Sequence, residues 1–185
     1  MNININITAP AVQEELSHLR AGDVIYLSGT ILTGRDAAHK RMMEYLDQGL
    51  PLPFDIADQG IYYVGPSPAE PGKIIGSCGP TTSSRMDSYA PRLLDLGLKM
   101  MIGKGYRNPE VVKSIIKNQA VYLAATGGAG ALIAQCIKQA QVIAFDDLGP
   151  EAVYRLVVEH FPLIVAIDTL GSNLYDIGPK DYKVY

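Results

Sequence analysis

Seven consecutive residues, Gly79-Pro80-Thr81-Thr82-Ser83-Ser84-Arg85, gather the groups that hold an anion: hydroxyls, free backbone N–H groups and one guanidinium. An apolar run, Ile74-Ile75-Gly76-Ser77-Cys78, precedes them and reads as a buried strand; Met86, Tyr89, Leu93 and Leu94 follow at the spacing of one helix face. Two more strand-to-helix junctions carry cations, Gly34-Arg35-Asp36 and Gly103-Lys104-Gly105. Taken singly, Arg35, Arg85 or Lys104 is an ordinary solvated charge. Taken together, each directly after an apolar strand, they suggest one pocket for a small molecule with more than one negative group, because open α/β sheets bind ligands at that end of their strands.

Other candidate groups divide between chemistry and packing. One of the hydroxyls in Thr81-Thr82-Ser83-Ser84 would serve as a helix cap, and the surplus favours ligand contact. The stretch from Gly97 to Gly105 falls short of a phosphate-binding P-loop, since Gly105 stands where a Ser/Thr would hold magnesium. In Thr126-Gly127-Gly128-Ala129-Gly130-Ala131 the third dinucleotide glycine is replaced by Ile133. Gly127 and Gly128 therefore read first as a tight turn and close packing, with anion binding by their N–H groups as the alternative. That alternative corresponds to a nucleotide-binding regulatory module. His39 is expected on a helix surface or at an interface; its closeness to Arg35 and Asp36 makes His39 and Asp36 second-rank site candidates. No two histidines share a metal-ligand spacing, so no metal ligand is assigned within this chain. Cys78 reads as a small buried thiol.

Strand-like and helix-like segments alternate along the chain. Met1 to Ile7 alternates with period two and reads as a first strand; Ala11–Arg20 reads as a helix and Asp23–Ile31 as a strand. Asp36–Gln48 fits a helix with Ala38, Met42 and Leu46 on one side. Ile61–Val64 and Lys73–Cys78 read as an antiparallel pair around a Pro/Gly-rich turn, since their connection is too short for a helical crossover. A helix through Leu96, a strand at Lys99–Ile102, and a helix capped by Asn108 with Pro109 at its first position come next. Val121–Ala125 is a strand, Ala129–Lys138 a helix and Gln141–Phe145 a strand. Gly149-Pro150-Glu151 opens a helix through Phe161, Pro162–Asp168 is the last strand, and the polar tail is weakly ordered. The expected fold is α/β, a single domain over residues 1–185 with a mixed sheet. The 185 residues, 48% hydrophobic and 19% charged, suit a folded globular chain. A net charge of -3 gives no electrostatic reason for a nucleic-acid partner. No apolar run approaches the ~18 residues of a membrane span. The start lacks signal-peptide character and two cysteines make no disulfide framework, so the expected location is cytoplasmic.

Leu32 through Arg41, Gly79-Pro80-Thr81-Thr82 through Arg85-Met86-Asp87, and Gly103-Lys104-Gly105 resemble the β-type region of class I, iron–sulfur-dependent fumarate hydratases. The β subunit of L-tartrate dehydratase is similar. The resemblance runs on through Ala124-Ala125-Thr126-Gly127-Gly128-Ala129 and Ile167-Asp168-Thr169. It implies a swivelling β/β/α fold and a free-standing β subunit. The [4Fe–4S] cluster would be carried by a separate fumarase α subunit, in an αβ or (αβ)2 assembly. The implied reaction is reversible hydration of fumarate to L-malate, with Arg35, Arg85 and Lys104 binding the substrate carboxylates. The resemblance makes Thr81 the proton acceptor, with Thr82 beside it and a relay group reaching across from the α partner. Thr33 through Ala38 leans toward fumarases; L-tartrate or another 2-hydroxy-dicarboxylate is the alternative substrate.

Overall fold

The computed structural model describes residues 5–182, so the stretch Met1–Asn4 of the expected first strand lies outside it. Five strands run parallel side by side: β1 (Ile5–Ala9), β2 (Val24–Thr33), β3 (Gly60–Tyr62), β4 (Met100–Gly103) and β5 (Val121–Ala124). β6 (Ile137–Ala144) and the 15-residue β7 (Val153–Ile167) complete a seven-stranded mixed sheet. β7 is antiparallel to β5, to β2 and to β6, so the ladder closes on itself. A bend at His160, whose φ is 50°, lets one half of β7 pair with β6 while the other reaches β5.

Side-chain alternation on the parallel strands sorts the core into two layers. Tyr62, Val64, Met100, Ile102, Val121 and Leu123 point toward β7, where they meet Leu156, Val158, Phe161 and Val165. Ile61, Tyr63, Met101 and Tyr122 point the other way, onto the helices. Those helices are α2 (Asp36–Asp47), α3 (Ala90–Asp95) and α4 (Pro109–Asn118), supplying buried Ala38, Met42, Leu93, Leu94, Val111 and Ile115. Each fully buried aliphatic side chain contributes roughly 1.5–3 kcal/mol. The result is antiparallel sheet on parallel sheet on helices, the β/β/α arrangement expected. Asn108 caps α4 as expected, its side-chain oxygen accepting from Val111 N–H at 2.8 Å. Shorter helices are α1 (Gln13–Ser17), α5 (Gly130–Cys136) and α6 (Leu174–Ile177).

Four expectations are corrected. Residues after Gly149-Pro150-Glu151 form strand, not helix: a 3-10 turn at Asp146–Glu151 leads straight into β7, where Leu156, Val158, Phe161, Leu163 and Val165 are buried on one side. Lys73–Cys78 is not a buried strand. Ile74 is 53% exposed, and Pro66 and Pro68 on the opposite limb offer no N–H, leaving one backbone bond from Ser67 N–H to Ser77 O. The single helix expected through Leu96 is split into a 3-10 turn, Ser83–Met86, and α3, because Pro91 cannot continue a helix from the preceding turn. The tail is ordered through Ile177 by Asp168, whose carboxylate accepts from Ala21, Leu170 and Ser172 N–H, and by α6.

Candidate functional site

The loop from Thr81 to Arg85 is fastened to the end of β4 by main-chain bonds. Thr81 N–H donates to Tyr63 O at 2.7 Å, Lys104 N–H to Thr81 O at 3.3 Å, and Ser83 N–H to Lys104 O at 2.8 Å. Thr82 and Lys104 thus form one parallel bridge beyond the strand. Gly103 is what permits this approach: a Cβ there would stand 2.1 Å from Ser83 Oγ and 3.3 Å from Thr81 O. The Ser83 hydroxyl is occupied by Tyr122, whose OH lies 2.9 Å away and donates its own proton to Gly105 O. Thr82, at the cap position of the 3-10 turn, makes no side-chain cap bond, so the capping explanation for these hydroxyls does not hold there.

The β2–α2 junction lies beside this loop. Arg85 forks onto Asp36, with Nε 2.9 Å from Oδ1 and Nη2 2.7 Å from Oδ2. Arg35 Nε is 3.3 Å from the same carboxylate and 3.5 Å from Glu151 Oε1. Burial alone would raise the Asp36 carboxyl; its own backbone amide, Arg35 and Arg85 outweigh that and hold it below the ordinary aspartate range. The Lys104 side chain runs over Gly127, where a Cβ would sit 3.6 Å from Cδ and 3.9 Å from Nζ. Among the described residues, no carboxylate lies within ion-pair distance of Lys104.

Arg35, Asp36 and Arg85 are therefore in direct contact, Thr81, Thr82 and Lys104 share one backbone ladder, and Gly127 lies under the lysine. All stand at the C-terminal ends of β2 to β5 or on loops fastened there. Gly128 supplies the tight turn, with φ 79° and nothing within 4 Å of its Cβ position. Gly130 supplies close packing, since a Cβ there would stand 2.8 Å from Gly79 N.

His39 departs from expectation. It is not on the helix surface but fully buried between Tyr63 and Tyr89, with ring centroids 5.3 and 5.9 Å away. Burial pushes its imidazole down to about 4.

The structure also adds residues that the sequence did not single out. Glu151 holds Arg35 and accepts from Ala37 N–H at 2.8 Å, fixing the first turn of α2 from 114 residues away. Beneath the loop, Asp87 accepts from Arg107 Nε at 2.6 Å and from Asn108 N–H at 2.8 Å. Tyr175 accepts from Gly105 N–H at 3.1 Å and stacks on Tyr106. Asp87 stood inside a quoted motif; Glu151 and Tyr175 have no local pattern that could reveal them.

A family model described as Fumarase C-terminus matches residues 1–178. The chain belongs to the fumarase C-terminal family. Fumarate hydratase 1, mitochondrial, of Leishmania major is 39% identical over 176 residues, covering 94% of this chain and 32% of that protein. Fumarate hydratase class I, anaerobic, of Escherichia coli K12 is 37% identical over 177 residues, covering 95% and 32% respectively. A putative L(+)-tartrate dehydratase subunit beta of Methanocaldococcus jannaschii is 39% identical over 179 residues, covering 94% of this chain and 91% of that one. The chain thus spans about a third of the fumarate hydratases it matches and most of the tartrate dehydratase subunit. These relatives are named as fumarate hydratases and a tartrate dehydratase subunit, which are hydro-lyases.

The iron–sulfur cluster that the resemblance implies does not fit the residues of this chain. A cubane needs three or four thiolates, and the sequence holds only Cys78 and Cys136. Burial pushes the Cys78 thiol up to about 12, which opposes ligation as thiolate, and its Sγ donates to Gly76 O at 3.3 Å. Among the described residues, no group of three His, Cys, Asp or Glu side chains converges. No helix there is long and apolar enough to cross a membrane.

Proposed function

We propose that this chain is the β subunit of a class I fumarate hydratase. It furnishes the grip on a dicarboxylate and the hydroxyls at its reacting carbons, while a separate α subunit carries the [4Fe–4S] cluster. What supports this reading is that Arg35 and Arg85 meet on Asp36, and Thr81, Thr82 and Lys104 share one backbone ladder, at the same edge of the sheet. The near full-length match to a tartrate dehydratase β subunit supports a free-standing subunit with an α partner. The chain is read as one domain, working in an αβ or (αβ)2 assembly in the cytoplasm.

Guanidinium forks fix a carboxylate in one plane, and the Lys104 ammonium adds a mobile point charge. Holding both ends of the diacid sets its reacting carbons against Thr81, and such positioning lowers a barrier by several kcal/mol. The same cations stabilise the negative charge that grows on a carboxylate as the C–H proton leaves malate. Thr81 Oγ1 is the atom assigned to that proton, passed on to a relay group from the α partner, since a threonine hydroxyl is a weak base alone.

Arg85→Ala in the assembled αβ enzyme is expected to lower kcat/KM by about two orders of magnitude or more, with the fold intact by circular dichroism. Wild-type kinetics in that variant would overturn the assignment. The identity shared with a tartrate dehydratase β subunit favours a second reading, a 2-hydroxy-dicarboxylate dehydratase such as one acting on L-tartrate. Assaying the assembled enzyme on fumarate, L-malate and L-tartrate separates the two.

A further inference from the structure

Below the substrate edge the fold buries polar chemistry that gripping a diacid does not use. His39 on α2, Tyr63 just after β3 and Arg107 after the Lys104 turn each keep one buried polar atom without a hydrogen-bond partner: Nε2, the phenolic oxygen and Nη2. The three belong to one neighbourhood. His39 and Tyr63 meet edge to face, and Arg107 Cζ lies 5.4 Å from the Tyr63 ring centroid. Buried polar atoms are almost always satisfied, so three unpaired ones side by side call for a reason.

Their chemistry is complementary. The Arg35 carbonyl, 3.0 Å from His39 Nδ1, can only accept, so the imidazole proton must sit on Nδ1. The neutral ring then keeps a single lone pair, on Nε2. The two unpaired neighbours, a phenol and a guanidinium, are both donors. The same Arg35 carbonyl also accepts the His39 backbone N–H at 2.9 Å. One residue thus holds the Arg35 peptide by two bonds, at the point where β2 gives way to α2.

We propose that His39 is a positioning residue for Arg35. Its Nδ1–H locks the Arg35 peptide, and its ring packs edge to face on Tyr63, which Arg107 overlies, so the Arg35 junction rests on the segment that follows Lys104. This rests on the reading that Arg35 grips a substrate carboxylate. Arg107 is itself anchored, through Asp87, to the turn that carries Arg85. All three cationic junctions therefore border one buried set of polar side chains. Charging the ring would remove the Nε2 acceptor and set a cation near Arg107. Burial, reinforced by Arg107 and opposed by the Arg35 carbonyl and Asp36, keeps it neutral.

The test uses the assembled αβ enzyme. An asparagine amide can reproduce the Nδ1–H donor, whereas leucine fills the space without one. His39→Asn is expected to stay within about threefold of the parent kcat/KM, and His39→Leu to fall about tenfold or more. On an Arg35→Lys background, His39→Leu is expected to add less than about twofold, because both changes act on one grip. Equal losses in His39→Asn and His39→Leu, or a full additive loss on Arg35→Lys, overturn the proposal. A measurement free of mutation guards against a variant that does not fold. Long-range 1H–15N spectra of the enzyme, 15N-labelled at histidine in this chain, should show His39 protonated on Nδ1 and bare on Nε2. A proton on Nε2 sinks this inference alone, whereas a parent enzyme that hydrates no diacid sinks the functional reading beneath it.

Discussion

Removing the Asp87 carboxylate should damage this fold far more than removing any exposed acid. The Arg107 side chain is 0% exposed and Asp87 is 7% exposed. Apart from Asp87, among the described residues the guanidinium finds only the Met101 sulfur at 3.4 Å and the ring faces of Tyr63 and Tyr122, with centroids 5.4 and 5.1 Å from Cζ. An aromatic face returns about 2 kcal/mol to a desolvated cation but neutralises none of its charge. Breaking a buried pair from one side costs about 3–5 kcal/mol, and Asp87→Ala also strands the Asn108 N–H. We expect a loss of about 4 kcal/mol, which for a chain of this length lowers Tm by roughly 8–16 °C. Asp95→Ala is the control. Its partner Lys117 is as close, at 2.8 Å, but the two side chains are 47% and 68% exposed, and such pairs are worth less than about 1 kcal/mol. Urea and thermal unfolding of both variants, with Arg107→Met and the double variant, complete the comparison. The double variant should recover much of the loss, because no charge is left buried alone. An Asp87→Ala cost equal to that of Asp95→Ala would refute the idea that this pair is sealed under the loop.

His39 should make stability fall with acid in a window of its own. Unfolded, the imidazole binds a proton below its ordinary 6.5; folded, among Arg35, Asp36, Tyr63, Tyr89 and Arg107, it refuses one until about 4. The unfolded state therefore binds more protons in between, and stability present above pH 6.5 drains away as pH falls to 4, by about 3 kcal/mol. Urea titrations of the wild type and His39→Met across that range check it, and parallel curves would contradict it. Gly103→Ala should lower stability by about 1–3 kcal/mol, since its Cβ lands 2.1 Å from Ser83 Oγ and 3.0 Å from Tyr63 Cδ2. Its kcat/KM in the assembled enzyme should fall as well, because Thr81 must move. Gly127→Ala meets only ordinary contacts and should leave Tm within a few degrees of the parent, so equal Tm losses in the two variants would count against the close-approach account.

Local pattern was a good guide wherever one face of an element meets one layer of the core. The helix over Asp36–Asp47 and the Asn108-Pro109 start of α4 follow from spacing and capping alone. The segment after Gly149 did not, and the reason is specific. Val153, Leu156, Val157 and Phe161 satisfy helical spacing, while Leu156 and Val158, then Phe161, Leu163 and Val165 beyond the bend at His160, alternate as a strand, and Gly-Pro-Glu is an ordinary helix opening. Pairing with β2 and β6 decided the matter, as with Tyr154 N–H donating to the Thr33 hydroxyl 121 residues away. Lys73–Cys78 failed in the opposite sense, because strand-like residues need a partner with N–H groups and the prolines opposite have none.

The legibility of the site follows the same division. Arg35, Arg85 and Lys104 could be found because a cation after an apolar strand and beside glycine or hydroxyls is a local signal, and parallel strands bring their C-terminal ends to one edge. Their mutual spacing could not be found, because it is set by groups that answer to tertiary position alone. Two guanidiniums side by side repel, and each would turn out to water if nothing between them carried negative charge. Asp36 is that charge, held ionised at the first residue of α2, and Glu151 supplies a second from the far end of the chain. In the proposed role, a diacid would meet arginines already gathered and oriented, so little of its binding free energy would go into assembling them. Lys104 has no such partner among the described residues, so its position answers to its backbone ladder with Thr81 to Ser83 rather than to a neighbouring acid.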